Sequence, residues 1–313
     1  MKALVTGGAG FIGSNLSEQL LSQGAEVVAV DCFTDYYPRA IKERNLSSLK
    51  GRAGYTFVEA DLNHADLNAL LDGVTHVFHL AAQAGVRKSW GSDFTTYTTL
   101  NVDATQRLLE ACTGKPIERV VYASSSSVYG DGVELPMREE VPLHPVSPYG
   151  VTKLAAEHLC NLYFVNYGVP AVSLRYFTVY GPRQRPDMGF HRFFTAVLDG
   201  QPLTQYGDGL QTRDFTFVAD AATATAAAGR RGVPGAVYNI GGGSRVSLRE
   251  VFDMIGRVSG RPLQIDYQPA QKGDMRDTYA DTSRAQADLG FRPSINLEDG
   301  LRAMYKWMES IRA

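Results

Sequence analysis

A glycine-rich turn near the start of the chain constrains the fold more than any other feature of the sequence. The apolar residues 2–6 lead directly into the glycine-rich residues 7–13, and a helical pattern follows over residues 14–23. Glycine suits such a turn because a Cβ would obstruct both the tight reversal and the close approach of a phosphate to backbone N–H groups at a helix N-terminus. The sequence therefore predicts the first unit of a nucleotide-binding α/β domain.

An acid after the second predicted strand indicates which dinucleotide would bind. Residues 26–30 are predicted to form the second strand, which ends in Asp31, at about the spacing expected after such a turn. A carboxylate there can accept hydrogen bonds from both hydroxyls of an adenosine ribose and would repel a 2′-phosphate, so NAD is favoured over NADP. The glycines fit both G-x-G-x-x-G and G-x-x-G-x-x-G. The predicted cofactor-binding residues of this unit are Gly7, Gly10, Phe11, Ile12, Gly13 and Asp31.

Length and composition exclude several classes of protein. A chain of 313 residues exceeds the usual size of a single core, so we expect a large domain and a smaller one. A formal net charge of −2 argues against a nucleic-acid partner. We find neither an apolar run of about 18 residues nor a signal peptide, and we expect a cytoplasmic protein that does not enter a membrane. The cysteines and histidines lack metal-ligand spacing, so we predict no metal site: Cys32, Cys112, Cys160, His76, His79, His144, His158 and His191.

Strands and helices alternate over the first part of the chain, which predicts a parallel sheet with helices on both faces. Further strands are predicted at residues 55–60, 74–80, 119–124 and 169–176, and helices at 39–49, 67–71, 95–112 and 148–167. The alternation ends after Phe177. We predict a Rossmann-type, doubly wound α/β domain of residues 1–176 and about 215–243, and a smaller α/β substrate-binding domain of about 177–214 and 244–313.

Residues that follow the third, fourth and sixth strands are placed to complete the cofactor site. Asp61 and Leu62 follow the third strand, where an adenine ring would lie and a carboxylate could accept from its amino group. Tyr176 ends the sixth strand and is assigned to the same site. The segment after the fourth strand is rich in small residues, which leave room for phosphates and the nicotinamide ribose; it comprises Leu80, Ala81, Ala82 and Gln83.

A tyrosine, a lysine and a serine form the candidate catalytic group. Tyr149 and Lys153 lie four residues apart in a predicted helix, which places both on one face. Because an ammonium group favours a nearby phenolate, we expect Lys153 to lower the pKa of Tyr149 so that the phenolate can take a proton from a hydroxyl. Ser125, at the carboxyl end of the fifth strand, can hydrogen-bond the same reacting oxygen. Tyr-x-x-x-Lys alone is uninformative, but the upstream serines and the dinucleotide turn favour catalysis.

The chain resembles the extended short-chain dehydrogenase/reductases over nearly its full length. The matching stretches are residues 6–13, 61–62, 80–82, 101–102, 124–130, 149–153, 174–177 and 213–215. Within that group it looks most like the nucleotide-sugar 4-epimerases, and most closely the UDP-glucuronate 4-epimerases, through residues 178–182 and 185–188.

The resemblance implies a tightly held NAD that is used catalytically. Tyr149 would take the proton of the C4 hydroxyl while the C4 hydride goes to the nicotinamide, and the 4-keto sugar would rotate and take the hydride back on its other face. Lys153 would also bind the nicotinamide ribose. Asn101 would support the site through this lysine, or would simply pack in its helix. The helices at 95–112 and 148–167 correspond to those that pair in family dimers, so a homodimer is expected.

Arginines suit a sugar nucleotide because the guanidinium fork is always charged and can bind phosphate bidentately. By resemblance, Arg213 and Arg276 are assigned to the diphosphate and the uridine ribose of a UDP-sugar, although either could form a surface salt bridge instead. Arg87 or Arg185 could contact the sugar, and Arg185 could instead meet the uridine.

Hydroxyl side chains predict which sugar is bound. A C6 carboxylate needs hydrogen-bond donors inside a site, and Ser126, Ser127 and Thr178 would supply hydroxyls beside the sugar. Neutral-hexose epimerases typically have asparagine where Thr178 stands. UDP-glucuronate is therefore the expected substrate, interconverted with UDP-galacturonate, and UDP-glucose 4-epimerase is the first alternative.

Three further alternatives remain open. Nucleotide-sugar 4,6-dehydratases carry an Asp-Glu pair that would fall at Ser126 and Ser127 here, so the groups for elimination are absent from the sequence. UDP-glucuronate decarboxylases usually carry glutamate at the position of Ser127. A non-catalytic dinucleotide-sensing module would typically lack Tyr149 or Lys153, and both are present.

Overall fold

The computed structural model describes residues 1–269 and 275–312, and a parallel sheet organises this part of the chain. The strands are β1 (Lys2–Thr6), β2 (Glu26–Asp31), β3 (Tyr55–Glu59), β4 (His76–His79), β5 (Arg119–Ser125), β6 (Ala171–Tyr176), β7 (Val179–Tyr180), β8 (Leu203–Tyr206), β9 (Thr212–Asp214), β10 (Thr216–Phe217), β11 (Val237–Ile240), β12 (Arg245–Ser247) and β13 (Ile265–Gln268).

Helices cover both faces of this sheet, and further helices follow in the second half of the chain. They are α1 (Phe11–Ser22), α2 (Arg39–Leu46), α3 (Leu67–Leu70), α4 (Phe94–Tyr97), α5 (Ala104–Cys112), α6 (Pro148–Tyr167), α7 (Gly189–Leu198), α8 (Val218–Arg231), α9 (Leu248–Ser259) and α10 (Leu297–Ser310). A π-helical segment, Thr98–Asp103, joins α4 to α5, so the helix predicted at 95–112 is continuous but is locally widened.

The seven-stranded sheet has the order β11-β6-β5-β4-β1-β2-β3, and all of its pairs are parallel. The strand order reverses around β1, where Thr6 pairs with Val30 of β2 on one side and with His79 of β4 on the other. Such a reversal opens a crevice at the carboxyl ends of the strands, where open α/β sheets bind their ligands. The predicted Rossmann-type fold is confirmed, including the strand near residue 237 that rejoins the sheet.

Three apolar clusters account for most of the core. On one face of the sheet α1 and α8 pack through buried residues that include Leu16, Leu20, Ala221 and Ala224. On the other face α5 and α6 contribute Leu108, Leu109, Ala156 and Cys160. A separate cluster joins α7, α9 and α10 through Phe194, Ile255, Leu301 and Met304. Cys112 and Cys160 are buried among apolar residues, whereas Cys32 is half-buried.

The starts of α1 and β6 differ from the predicted starts, and in each case a single residue explains the difference. Helix α1 begins at Phe11 rather than at residue 14, because Gly10 is already its extended N-cap, with φ −76° and ψ 179°. Strand β6 begins at Ala171, immediately after Pro170, which has no N–H to donate to a neighbouring strand. The pairs β10-β7, β12-β9 and β13-β8 were not fully predicted, because strands of two to four residues are too short to show alternation.

Candidate active site

The glycine turn is shaped by contacts that a side chain would prevent. Gly7 has φ +68°, which favours glycine, and a Cβ there would lie 2.9 Å from the backbone nitrogen of Ala81. A Cβ at Gly13 would lie 2.2 Å from the carbonyl oxygen of Gly7. Among the described residues no side chain caps α1, so the backbone N–H groups of its first turn and its positive dipole end are suited to a pyrophosphate.

Nearly all of the predicted cofactor residues line one cavity of about 190 Å³ at the carboxyl ends of the strands. Its lining includes the turn, the acids after β2 and β3, the small residues after β4 and the candidate catalytic pair: Gly7, Gly10, Phe11, Ile12, Gly13, Asp31, Asp61, Leu62, Leu80, Ala81, Ala82, Gln83, Tyr149, Lys153 and Tyr176. Asn101 is the predicted cofactor residue that does not line it. These residues are thus brought together, and their individual contacts with a dinucleotide remain predictions.

Asp31 is held in place by three donors. It accepts from the backbone nitrogens of Ala9 at 3.2 Å and Phe33 at 2.9 Å, and from Lys42 Nζ at 3.1 Å. The Asp31 and Lys42 side chains are each only 7 % exposed. Lys42 also lines the cavity, and sequence reasoning missed it because it lies in a short polar helix with no motif of its own. An ammonium group at this position adds a donor beside the ribose site that Asp31 is predicted to serve.

A relay of buried side chains fixes the start of the segment after β4. The hydroxyl of Thr105 donates to the carbonyl of Asn101. Since this uses the only proton of that hydroxyl, His79 Nε2 must donate to Thr105 Oγ1, at 2.9 Å. The other ring nitrogen, Nδ1, then accepts from Thr6 Oγ1, at 2.7 Å. Thr6 Oγ1 in turn accepts from the backbone nitrogens of Leu80 and Ala81, at 3.1 and 3.0 Å. Burial, followed by the charge of Lys153, lowers the pKa of His79 to about 3. His79 is therefore a neutral residue that helps to hold this segment in place.

Tyr149 and Lys153 of the candidate catalytic group line the same cavity, whereas Ser125 lies between residues of the two cavities in sequence and is not in the lining of either. Helix α6 begins at Pro148 and is capped by Ser147, whose side chain accepts from the Gly150 backbone nitrogen at 3.1 Å. This start places Tyr149 and Lys153 on one face, and both side chains line the cavity. Ser125, at the end of β5, donates to Ser127 Oγ at 3.1 Å, and hydrogen bonding by Ser125 acts to lower the pKa of Tyr149.

The electrostatics of the tyrosine differ from the expectation. The pKa of Tyr149 is raised, because burial outweighs the lowering effects of the Arg185 charge and of the Ser125 hydrogen bond. Lys153 is only 3 % exposed, and burial lowers its pKa to about 7, while Cys160 and Glu157 act in the opposite direction. The net effect of the protein's own groups is to raise the pKa of Tyr149, so the prediction that Lys153 lowers it is wrong. The charge of Arg185 offsets part of the effect of burial on the pKa of Tyr149. Residue spacing gave no indication that Arg185 acts on this phenol.

Asn101 braces the catalytic helix through a neighbour of the lysine. It accepts from the Gln83 backbone nitrogen at 2.7 Å and donates to the Gln83 carbonyl and to Thr152 Oγ1, each at 3.0 Å. Asn101 lies in the π-helical segment between α4 and α5. It thus joins the segment after β4 to the residue that precedes Lys153.

A buried ionic network lies behind the catalytic face. Arg175 donates to Glu157 through Nη2 at 2.6 Å and through Nε at 3.2 Å, and both side chains are almost fully buried. Ser124 Oγ donates to the same carboxylate at 2.6 Å. Arg175 also donates to the Tyr129 hydroxyl at 2.9 Å. This network ties the ends of β5 and β6 to α6, which carries Tyr149 and Lys153.

A second cavity, of about 160 Å³, adjoins the serine cluster. It is lined by predicted substrate residues and their neighbours: Ser126, Ser127, Thr178, Arg213, Val86, Val146, Ser147, Met275 and Thr278. Arg213 is anchored by its donation to the carbonyl oxygens of Thr212 and Arg276, both at 2.9 Å. The cavity therefore combines hydroxyl groups with one guanidinium, which suits an anionic sugar nucleotide.

The other predicted arginines lie in different surroundings. Arg276 forms an exposed ion pair with Asp208, with Nη2 3.0 Å from Oδ2, and does not line either cavity in the described part of the chain. Asp274, which precedes it in the predicted stretch, lies outside the described residues. The Arg87 guanidinium packs 4.6 Å from the centre of the Tyr206 ring. Arg185 lines the cavity that contains Tyr149.

Within the described residues, no cluster of three or more histidine, cysteine, aspartate or glutamate side chains could hold a metal ion. The same part of the chain contains no helix that is long and apolar enough to cross a membrane.

Comparisons with known proteins give consistent matches over this architecture. The family model described as "NAD dependent epimerase/dehydratase family" matches residues 3–241. A Bacillus subtilis (strain 168) protein described as "Uncharacterized UDP-glucose epimerase YtcB" is 45% identical, over 99% of each chain. The UDP-glucuronate 4-epimerase of Thermodesulfobacterium geofontis is 36% identical, over 97% of this chain and 95% of the relative. Among solved structures, the Bacillus cereus UDP-glucuronic acid 4-epimerase in complex with UDP-glucuronic acid and NAD superposes with a TM-score of 0.96 at 43% identity, covering 99% of this chain and 100% of the other.

Proposed function

The chain belongs to the NAD-dependent epimerase/dehydratase family, and from its site we propose that it is an NAD-dependent 4-epimerase that interconverts UDP-glucuronate and UDP-galacturonate. The resemblance to extended short-chain dehydrogenase/reductases seen in the sequence is confirmed. One observation carries the proposal: Tyr149 lines the dinucleotide cavity, and Ser125, which acts on the pKa of its phenol, donates to Ser127, which lines the hydroxyl-rich cavity. A sugar ring at this junction would place its reacting hydroxyl next to the phenol.

The residues fit NAD. The first turn of α1 offers backbone N–H groups where Gly7 and Gly13 exclude any Cβ, and Asp31 is positioned at the end of β2. When bound, NAD supplies a hydride acceptor that can return the hydride in the same turnover. Lys153 would bind the nicotinamide ribose, and Asp61 with Leu62 would meet the adenine.

Proton transfer falls to Tyr149. As a phenolate it would accept the proton of the C4 hydroxyl while Ser125 donates a hydrogen bond to the same sugar oxygen. The proton then returns from Tyr149 to the C4 oxygen after the 4-keto sugar has rotated. Because burial raises the pKa of the phenol, Arg185 and Ser125 must offset part of that cost. The positive charge of an oxidised nicotinamide would lower the phenol pKa further.

Hydroxyl groups in the second cavity favour a uronic acid. Ser126, Ser127 and Thr178 line it together with Arg213, so a C6 carboxylate would have donors while Arg213 binds phosphate. A β-keto acid loses CO2 readily when its carboxylate stands perpendicular to the carbonyl. Side chains that hold the carboxylate away from that orientation would preserve the 4-keto sugar until the hydride returns.

The alternatives are weaker for identifiable reasons. Serines stand at 126 and 127, so the acid and base of a dehydratase are missing at those positions, as is the glutamate of a decarboxylase. A dinucleotide sensor would not need Tyr149 and Lys153 converging on the cavity. UDP-glucose 4-epimerase stays the second candidate, because the Bacillus subtilis relative is described as an uncharacterized UDP-glucose epimerase.

Incubation of the pure protein with UDP-glucuronate, UDP-glucose and UDP-xylose, with the products resolved, tests the proposal. We expect UDP-galacturonate to form fastest. Faster epimerisation of UDP-glucose than of UDP-glucuronate would instead identify a UDP-glucose 4-epimerase.

A homodimer is part of the proposal. Helix α6 exposes Val151, Leu162 and Val165, at 47%, 53% and 68%, and helical spacing places the three on one face. Exposed apolar side chains along one helix face are typical of an interface, and pairing of two copies through this helix would bury them. We also propose the domain division given above, in which α7, α9 and α10 supply the core of the smaller domain.

A further inference from the structure

A chain of three side chains runs from the loop after β2 into the cavity that Tyr149 lines. Asp187 accepts from Arg185 through two parallel hydrogen bonds, Nε to Oδ1 and Nη2 to Oδ2, each at 3.0 Å. The same Oδ2 accepts from the Tyr36 hydroxyl at 3.2 Å. Arg185 and Tyr36 both line the dinucleotide cavity, whereas Asp187 does not. Asp187 therefore acts on the site through Arg185.

The position of Tyr36 is closely defined. Gly85 has φ +105°, and a Cβ there would lie 2.3 Å from the Tyr36 hydroxyl oxygen, so the segment after β4 is shaped to admit this ring. Tyr97 donates to the carbonyl of Gly85 at 2.7 Å, and its ring packs edge-on against Tyr149 with centroids 6.2 Å apart. Tyr36 is thus set against the same segment that borders the catalytic tyrosine.

Arg185 needs such a restraint because its side chain is long and has many rotamers. The Arg185 side chain is 22% exposed and that of Asp187 is 29% exposed, so the pair is not a core element. Exposed ion pairs contribute little to stability, but a bidentate fork fixes the orientation of a guanidinium. In this orientation the charge of Arg185 acts on the Tyr149 phenol.

We propose that Asp187, held in turn by Tyr36, is a positioning residue that fixes the Arg185 guanidinium beside the Tyr149 hydroxyl. The inference deepens the proposed function, and its rate readout rests on that function. Because Tyr36 follows Asp31 in the loop after β2, the geometry also links the adenosine end of the cavity with the reacting end.

If Asp187 served only as a counter-charge to Arg185, its replacement would shift the Tyr149 pKa in the opposite direction from that expected of a positioning residue. If Asp187 only neutralised Arg185, its replacement by asparagine would leave more positive charge near Tyr149 and would lower the phenol pKa. If Asp187 positions Arg185, the same replacement releases the guanidinium and raises the phenol pKa. The other titratable groups that face Tyr149 are the same in both cases: Lys153 on α6, Tyr97 on α4 and Tyr122 on β5.

The test compares Asp187→Asn and Tyr36→Phe with a matched control. Asp199→Asn serves as the control, since Asp199 pairs with Arg312 in an exposed fork at 2.6 and 3.4 Å on the far end of α7. The readouts are the pH profile of kcat for UDP-glucuronate and the titration of the Tyr149 ring signal, by NMR of holoenzyme that carries isotope-labelled tyrosine assigned with Tyr149→Phe.

We expect the acidic limb of the kcat profile and the Tyr149 titration to move upward by about one pH unit in Asp187→Asn, a roughly tenfold loss of rate on that limb. Tyr36→Phe keeps all charges and should shift both in the same direction by less. Asp187→Glu should recover part of the loss, and Asp199→Asn should match wild type. A downward shift in Asp187→Asn, or unchanged titrations in both variants, would overturn the proposal.

The two proposals fail in different ways. Absence of 4-epimerisation in the wild-type enzyme would refute the function, while the NMR titration of Tyr149 would still decide whether Asp187 positions Arg185. Wild-type turnover together with an unshifted Tyr149 titration would refute only the positioning role.

Discussion

The buried Lys153 makes the free energy of unfolding depend on pH, and substitution of this residue isolates its contribution. Burial lowers its pKa from the ordinary 10.5 to about 7. Between these values the unfolded chain binds a proton that the folded chain does not, so folding becomes more favourable as the pH rises. The stability gained is fully present above the unfolded pKa and is lost as the pH falls through the folded pKa of about 7.

The size of the effect follows from the shift. Each pH unit inside the window changes the free energy of unfolding by about 1.4 kcal/mol, so an increase from about pH 7.5 to about pH 9 should add about 2 kcal/mol through this residue. Lys153→Met removes the titrating group and replaces it with an unbranched side chain that is one atom shorter. The predicted quantity is therefore the change with pH in the difference between wild type and Lys153→Met.

Urea unfolding followed by circular dichroism measures this difference. Both proteins should first be stripped of dinucleotide, because a ligand that binds the folded state would add its own stabilisation. Other titrating groups, such as Asp214, whose pKa burial raises to about 6, are common to both proteins and cancel. Curves of unfolding free energy against pH that stay parallel for the two proteins would show that Lys153 does not have the lowered pKa on which the reasoning depends.

Three further substitutions test individual parts of the site. Gly13→Ala should abolish NAD retention, because the new Cβ would lie 2.2 Å from the Gly7 carbonyl oxygen. The NAD released on denaturation measures retention. Gly256→Ala is the control, because a Cβ at Gly256 makes only ordinary contacts. Retention equal to wild type, or better reactivation of stripped protein by NADP, would contradict the assignment. Tyr149→Phe should eliminate turnover and leave sugar-nucleotide affinity nearly unchanged by calorimetry; substantial residual activity would point to another base. Thr178→Ala should lower activity on UDP-glucuronate and increase the share of decarboxylated UDP-pentose, and an unchanged product ratio would exclude Thr178 from control of the carboxylate.

Features with short sequence spacing were predictable. The turn at 7–13, the following Asp31 and the Tyr149–Lys153 pair each depend on one strand-turn-helix unit or on one helix, so their geometry follows from local periodicity. The convergence of these elements on one cavity followed from the parallel sheet, because the carboxyl ends of its strands share an edge.

Features that depend on long-range packing were not predictable. Lys42 of α2 reaches Asp31 only because of the path of the loop between β2 and α2, and Asp187 meets Tyr36 across 151 positions of sequence. The raised pKa of Tyr149 depends on burial, which no residue pattern reveals. Arg276 was assigned to substrate by resemblance, and its exposed pairing with Asp208 depends on a loop that the pattern does not place.

The central claim is that a hydride leaves C4 of UDP-glucuronate and returns to the same carbon within one active site. Incubation of the holoenzyme with UDP-glucuronate deuterated at C4, followed by mass spectrometry and NMR of the products, tests it most directly. We expect the UDP-galacturonate formed from labelled substrate to keep the deuterium at C4. We expect the product of unlabelled substrate in deuterated water to take up no deuterium at carbon. Loss of the C4 label, uptake of solvent deuterium at carbon, or no C4 epimer at all would contradict it.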